Sequence, residues 1–230
     1  MKLKTAFLVL AALGVLGCGG NGNSLINVPN PRVRFANLMP GIASAKAKVG
    51  SDTISSDIPF GTVSDYAITP NGTKDLTVGD STFNNLSSLT NQLFETNKHY
   101  TGVGFGTATR GILLLEENES AASANTVAIR IAHASEGFSA MDVYITDAAA
   151  GNSLPASPSF ASVATGTTTT YTNLAVGLGT TQVRIRVYAA GQTSTPVLDT
   201  NIPFDERQRA TIAVYQNVAV LAALKLREDI

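Results

Sequence analysis

Ile129-Arg130-Ile131-Ala132-His133-Ala134-Ser135-Glu136-Gly137-Phe138 decides the fold, because the chain writes it twice. The earlier copy is Val33-Arg34-Phe35-Ala36-Asn37-Leu38-Met39-Pro40-Gly41-Ile42. Arginine, alanine and glycine coincide without a gap, and apolar residues face apolar residues. The register continues, with Ala45-Lys46-Ala47-Lys48-Val49 above Met141-Asp142-Val143-Tyr144-Ile145. The two units also end alike. His99 to Phe105 parallels Arg209 to Tyr215, and each is followed by a last apolar strand. A period near 100 residues is too long for a solenoid, so it implies two tandem domains.

Each unit reads as a series of short strands. Val33/Phe35 and Ile129/Ile131 alternate with polar or small neighbours. Val183-Arg184-Ile185-Arg186-Val187-Tyr188 has period two, which directs valine and isoleucine to a core and both arginines to water. Val218 to Leu226 is more continuously apolar, as expected of a central strand or one covered on both faces. Pro70-Asn71-Gly72, Gly79-Asp80, Ala190-Gly191-Gln192 and Pro203 supply turn chemistry. Seven or so strands per hundred residues predict an all-β chain of two tandem immunoglobulin-like antiparallel sandwiches. The expected boundaries are 32–118 and 126–230, with a linker over 119–125.

The second copy is similar to the opening of a bacterial family known as domain of unknown function 4397. The likeness rests on Ile129-Arg130-Ile131-Ala132-His133-Ala134-Ser135, then Met141-Asp142-Val143-Tyr144, then Phe160-Ala161-Ser162-Val163 and Tyr171. It covers about residues 126–216 and departs at Glu136, where the family usually has proline. The first copy is more divergent, with Asn37 for the histidine and Lys46 for the aspartate. Phe60-Gly61-Thr62-Val63-Ser64-Asp65-Tyr66 keeps the middle motif. The resemblance implies a secreted or surface-attached β-sandwich and no activity.

The amino terminus supplies an address. Lys2 and Lys4 precede an apolar run from Ala6 to Leu16, then Val15-Leu16-Gly17-Cys18. This is the three-part layout of a secretory signal, and the run is shorter than the ~20 residues a bilayer core requires. It resembles the bacterial lipobox. That resemblance implies cleavage between Gly17 and Cys18, a diacylglyceryl group on the Cys18 sulfur and acylation of the new amino group. More than one chain is needed for stable anchoring, because a single acyl chain holds only marginally. Residues 1–17 are thus expected to be a removed signal, and 18–31 a lipidated cysteine and tether. Gly19-Gly20-Asn21-Gly22-Asn23-Ser24 buries too little to order itself, and a dozen such residues span about 20 Å. The expected location is the bacterial cell envelope. Gly19 rather than aspartate after the cysteine favours the outer membrane where one exists, by resemblance to the enterobacterial sorting rule.

Composition narrows the partners. The chain has 16 basic and 17 acidic residues and a net charge of −1. Losing Lys2 and Lys4 makes the processed chain more acidic. No arginine-rich face is visible, which argues against nucleic acid. Cys18 is the only cysteine, so no intramolecular disulfide can brace the core.

The chemistry-bearing residues are sparse. His133, Ser135 and Asp142 are the only candidate catalytic set, and Tyr144 completes the motif. A nucleophile needs a base in reach and a group to orient that base. A histidine and serine at a strand end more commonly satisfy backbone groups the ladder leaves unpaired. No catalytic residue, metal or cofactor is therefore assigned. Glu116, Glu117, Glu119 and the pair Asp205-Glu206 read as solvated charge. Gly102, Gly104 and Gly106 read as sites of close packing or a bulge. Tyr144 and Tyr188, with Tyr66 less securely, are expected on outward faces by alternation. The sequence thus points to a lipid-anchored, non-enzymatic surface module for binding, adhesion or architecture, with a surface protein or glycan as ligand. The alternatives are a glycan-binding lipoprotein and a hydrolase using His133.

Overall fold

A computed structural model describes residues 29–117, 120–151, 153–176, 179–217 and 219–228. The signal, Gly17, Cys18 and the tether to residue 28 lie outside the described residues. The chain forms seventeen strands and one 3-10 turn among these residues.

The first unit is a sandwich of two sheets. One contains β1 (Arg32–Leu38), β4 (Thr62–Val63), β5 (Ala67–Ile68), β8 (His99–Phe105) and β9 (Gly111–Glu116), in the order β4-β1-β8-β9 with β5 also on β1. The other runs β3-β2-β6-β7, from β2 (Ser44–Val49), β3 (Asp52–Pro59), β6 (Gly72–Asp80) and β7 (Asn85–Phe94). The second unit repeats the plan. Its sheets run β13-β10-β16-β17 and β12-β11-β14-β15. The strands are β10 (Thr126–Ala134), β11 (Ala140–Asp147), β12 (Phe160–Ala164), β13 (Thr172–Ala175), β14 (Thr180–Ala189), β15 (Leu198–Asp205), β16 (Arg209–Asn217) and β17 (Val220–Arg227). Pairing is antiparallel except once per unit. There β1 runs parallel to β8 with Arg34 beside Thr101, and β10 runs parallel to β16 with Arg130 beside Thr211.

Three apolar clusters hold the chain together. Phe35, Leu76, Val78 and Phe94 lie in the core of the first sandwich. Ile129, Ile131, Val143, Ile185, Phe204 and Ile212 lie in the second. The third cluster joins them: Ala36, Leu38 and Val103 pack against Ala132, Ala134, Ala213 and Tyr215. The β1 and β10 sheets are therefore back to back, giving four layers. This is why β1 and β10 are buried on both faces rather than alternating as the sequence predicts.

The seam is nearly two-fold. Phe60 meets Tyr215 edge-on, and the Tyr215 hydroxyl would lie 3.2 Å from a Cβ on Gly61. Phe105 from the other unit sits at the same distance from a Cβ on Gly166. Both glycines have φ near +75° (+77° and +73°), a backbone that a side chain strains. Within the first core, Gly102 and Gly104 admit the Phe35 ring. A Cβ at either would lie 2.7–2.8 Å from it.

Several expectations change. Tyr144 and Tyr188 are not outward: they are 3% and 4% exposed and stack edge-on at 5.5 Å. Arg186 does not face water. It is buried, and its guanidinium donates to the Ser153 carbonyl at 3.0 Å, so chain beyond β11 covers that face. Arg184 is partly covered and forms an ion pair with Asp199. Pro203 is inside β15, an edge strand where a missing amide donor is tolerated. β17 is an edge strand rather than a central one, and it is covered on both faces: Leu221 and Ala223 pack into the second core, and Ala222, Leu224 and Leu226 into the seam.

Candidate functional site

The His133 motif lies where β10 ends and the chain crosses to β11. His133 is fully buried, and its Nδ1–H donates to the Val163 carbonyl at 2.9 Å. Its Nε2 is buried without a hydrogen-bond partner. Burial pushes its pKa below the ordinary histidine value, with backbone hydrogen bonds acting the other way. The ring is thus neutral near pH 7. Ser135 is also fully buried, and its Oγ accepts from Gly137 N–H at 3.2 Å. Asp142 accepts from Ser162 N–H in β12 at 2.7 Å and from Gly191 N–H, in the turn after β14, at 2.8 Å, tying both to β11. Tyr144 belongs to the buried tyrosine pair. His133 and Asp142 both bond the β12 backbone, at Val163 and Ser162, while Ser135 bonds Gly137 in its own loop.

The first unit explains the histidine. Asn37 is its counterpart and donates from Nδ2 to the Ile42 and Ile58 carbonyls at 2.9 and 3.0 Å. Ile58 pairs with Ala45 as Val163 pairs with Met141. Asparagine and histidine thus feed the same carbonyl position, between the end of the first strand and the adjoining edge strand.

The most developed polar constellation is one the sequence reading missed. Arg34 Nε donates to Thr101 Oγ1 at 2.8 Å, and Arg34 Nη2 to Glu117 Oε1 at 3.0 Å. Thr101 and Tyr66 hydroxyls also donate to Glu117, and the Arg34 guanidinium lies over the Tyr66 ring at 4.5 Å. The second unit repeats every element. Arg130 donates to Thr211 and Glu228, the Thr211 and Tyr171 hydroxyls donate to Glu228, and Arg130 covers Tyr171 at 4.8 Å. The arginines cross the seam. Arg34 reaches the Arg227 carbonyl at 2.6 Å, and Arg130 the Glu116 carbonyl at 2.9 Å. Glu117 is thus buried and paired, not solvated. Burial first, then the hydrogen bond to a carboxylate, holds both Tyr66 and Tyr171 well above the usual phenol value. The signal was available: Arg34 and Arg130 coincide in the repeat, and a glutamate follows the last strand of each copy.

Glu136 marks the opposite end of the seam. Its carboxylate accepts from Thr107 N–H and Oγ1 at 2.7 Å and from Thr109 N–H at 3.1 Å. These backbone donors lower its pKa against the opposing effect of burial. Glu136 thus joins a loop of one unit to a hairpin of the other. Beside that end, Phe138, Val197, Gln216, Ala219, Val220 and Leu221 line an open pocket of about 200 Å³. No group of three or more potential metal ligands occurs among the described residues. No helix among them is long and apolar enough to cross a membrane.

Residues 31–144 match the family described as Domain of unknown function (DUF4397). The match takes in the first unit, the more divergent by its motif, and the opening of the second through Tyr144. No curated protein matches the chain. Among solved structures, a family 26 carbohydrate-binding module from Eubacterium rectale Amy13K, in complex with maltoheptaose, is 14% identical with a TM-score of 0.28. That likeness spans 85% of this chain and 96% of the other. A structure of family 41 modules from streptococcal virulence factors, described as recognising α-glucan, is 10% identical with a TM-score of 0.26, spanning 80% and 94%. A streptococcal virulence factor described as binding α-glucan is 8% identical with a TM-score of 0.26, spanning 80% and 93%. These superpositions are too loose to transfer a ligand or a site.

Proposed function

We propose that the chain is a lipid-anchored, non-enzymatic module of the bacterial cell envelope, serving binding, adhesion or architecture. The observation that carries the non-enzymatic reading is the use made of His133, Ser135 and Asp142. His133 and Asp142 satisfy backbone groups of β12 and of the turn at Gly191, and the Ser135 hydroxyl is occupied as an acceptor from Gly137 N–H. A working triad would hold the histidine between the other two. The anchor rests on Cys18 and the sequence before it. Glycan recognition is a second reading, and one observation favours it: Phe138 and Gln216 share an open pocket at a loop end. An aromatic face beside an amide is a usable start for a sugar ring. Tyr144, the platform expected from the sequence, is buried and unsuited to that role.

The anchor is tested by detergent phase partition and acyl labelling of the full-length protein in a bacterial host. Wild type should enter the detergent phase, and Cys18→Ser should leave it. A Cys18→Ser protein that still fractionates fully with membranes refutes the anchor. For the non-enzymatic reading, ester, glycoside and peptide substrates should show no turnover. Turnover that disappears in Ser135→Ala at unchanged melting temperature would establish the hydrolase instead. Glycan-array binding lost in Phe138→Ala would select the glycan reading.

A further inference from the structure

The structure has two distinct ends, and the tether enters at one of them. Pro29 accepts from Asn97 N–H, and Arg32 N–H donates to the Lys98 carbonyl. The chain therefore joins the first sandwich beside the β7–β8 turn. The seam contacts of Arg34 with Arg227 and of Arg130 with Glu116 put the corresponding end of the second sandwich alongside. The Glu136 contacts join the far ends. Both sandwiches therefore point away from the tether in the same sense. Residues 18–28 separate the lipidation position from this near end.

The near end carries a basic recess. Pro29, Asn30, Arg32, Asn97, Lys98 and His99 line a pocket of about 230 Å³. Arg32 is exposed, and its side chain has no ion-pair partner among the described residues. Lys98 pairs with Glu116, but both side chains stand about half in solvent, at 43% and 50% exposure. Such an exposed pair exchanges partners at little cost. The His99 ring packs against Tyr66 and closes the recess. Two asparagines add neutral hydrogen-bonding groups. The processed chain is net acidic, so the basic groups here are not part of a general positive surface.

We propose that this recess binds the phosphate of an anionic phospholipid headgroup, as a second, non-covalent contact between the protein and the membrane that holds its lipid. The proposal rests on the anchored reading above. Arg32 supplies a planar fork suited to phosphate oxygens, and Lys98 supplies a point charge that leaves Glu116 for the headgroup. The docked protein stands on its tethered end, with the Phe138 pocket facing away from the bilayer.

The test uses the processed chain from residue 18 with Cys18→Ser, which retains every described residue and lacks the lipid. It should float with phosphatidylglycerol vesicles at low salt, not with phosphatidylcholine vesicles, and should release as salt rises. Arg32→Glu and Lys98→Glu should each lower partition at least about fivefold, because one basic group near an anionic surface contributes about that factor. Their melting temperatures should stay close to wild type, because Arg32 is exposed and Lys98 stands about half in solvent with only an exposed ion pair to lose. Equal binding to both vesicles, no binding to phosphatidylglycerol, or an unaffected double variant overturns the proposal. Displacement by millimolar inorganic phosphate would overturn the membrane as source and assign the recess to free phosphate. Acyl labelling of the wild-type protein is scored separately. Lack of a lipid with vesicle binding intact would remove the anchor and leave the recess standing.

Discussion

Glu117→Gln is the sharpest probe of the seam. The carboxylate is 1% exposed and faces Arg34, itself 10% exposed. It takes hydrogen bonds from Arg34, Thr101 and Tyr66, and Arg34 also ties to a carbonyl of the other sandwich. The amide keeps the shape but removes the charge, leaving a guanidinium buried without its counter-ion. It also turns one acceptor position into a donor facing hydroxyls. Breaking a buried pair from one side costs about 3–5 kcal/mol. For a chain of this length that corresponds to a fall in Tm of about 6–20 °C. Urea unfolding followed by circular dichroism measures the loss. The companion Arg34→Met/Glu117→Leu should recover most of it, since an apolar pair carries no desolvation penalty. The unfolding should remain one transition if the seam couples the sandwiches. A loss under about 1 kcal/mol for Glu117→Gln, or a double variant no better than the single, refutes the reasoning.

Two further perturbations follow from the packing. His133→Asn should leave the fold intact, because Asn37 already makes the equivalent contact in the first unit. Because the folded pKa of His133 lies below the ordinary 6.5, the unfolded chain binds more protons between those values. Wild type should lose stability as pH falls from about 6.5 through the folded value, by at most about 1.4 kcal/mol per pH unit. His133→Asn should lack that component, and identical pH profiles of Tm would contradict the assignment. Gly102→Ala should destabilise by about 1–3 kcal/mol, since its Cβ would lie 2.7 Å from Phe35 and 2.9 Å from Leu76. Adding Phe35→Leu should relieve part of the loss in chemical denaturation, and no relief would mean the clash is elsewhere.

The repeat made the sandwich legible. Arg34 over Arg130 and Val33/Phe35 over Ile129/Ile131 carry strand period and internal symmetry without tertiary information. His133 and Ser135 were legible as a strand-end device, and both bond backbone groups there. Tyr144 and Tyr188 were misread because alternation assigns faces but not what covers them. Each sits on the face opposite the core, yet the two rings shield each other. Arg186 was misread for the same reason, because the cover comes from chain beyond its own strand. Glu117 looked like one charge in an acidic run, since its partners Arg34, Thr101 and Tyr66 are distant in sequence.

Local order along the chain determines the strands and the duplication, because these depend on side-chain period and on contiguous motifs. Tertiary structure alone decides that the two sandwiches join back to back through Ala36, Leu38, Ala132 and Ala213. It also decides that each arginine closes on a glutamate and threonine of its own copy and a carbonyl of the other. The physical reason is that a buried charge can be placed only once the groups that neutralise it are assembled, and those groups come from strands that meet only in the folded chain.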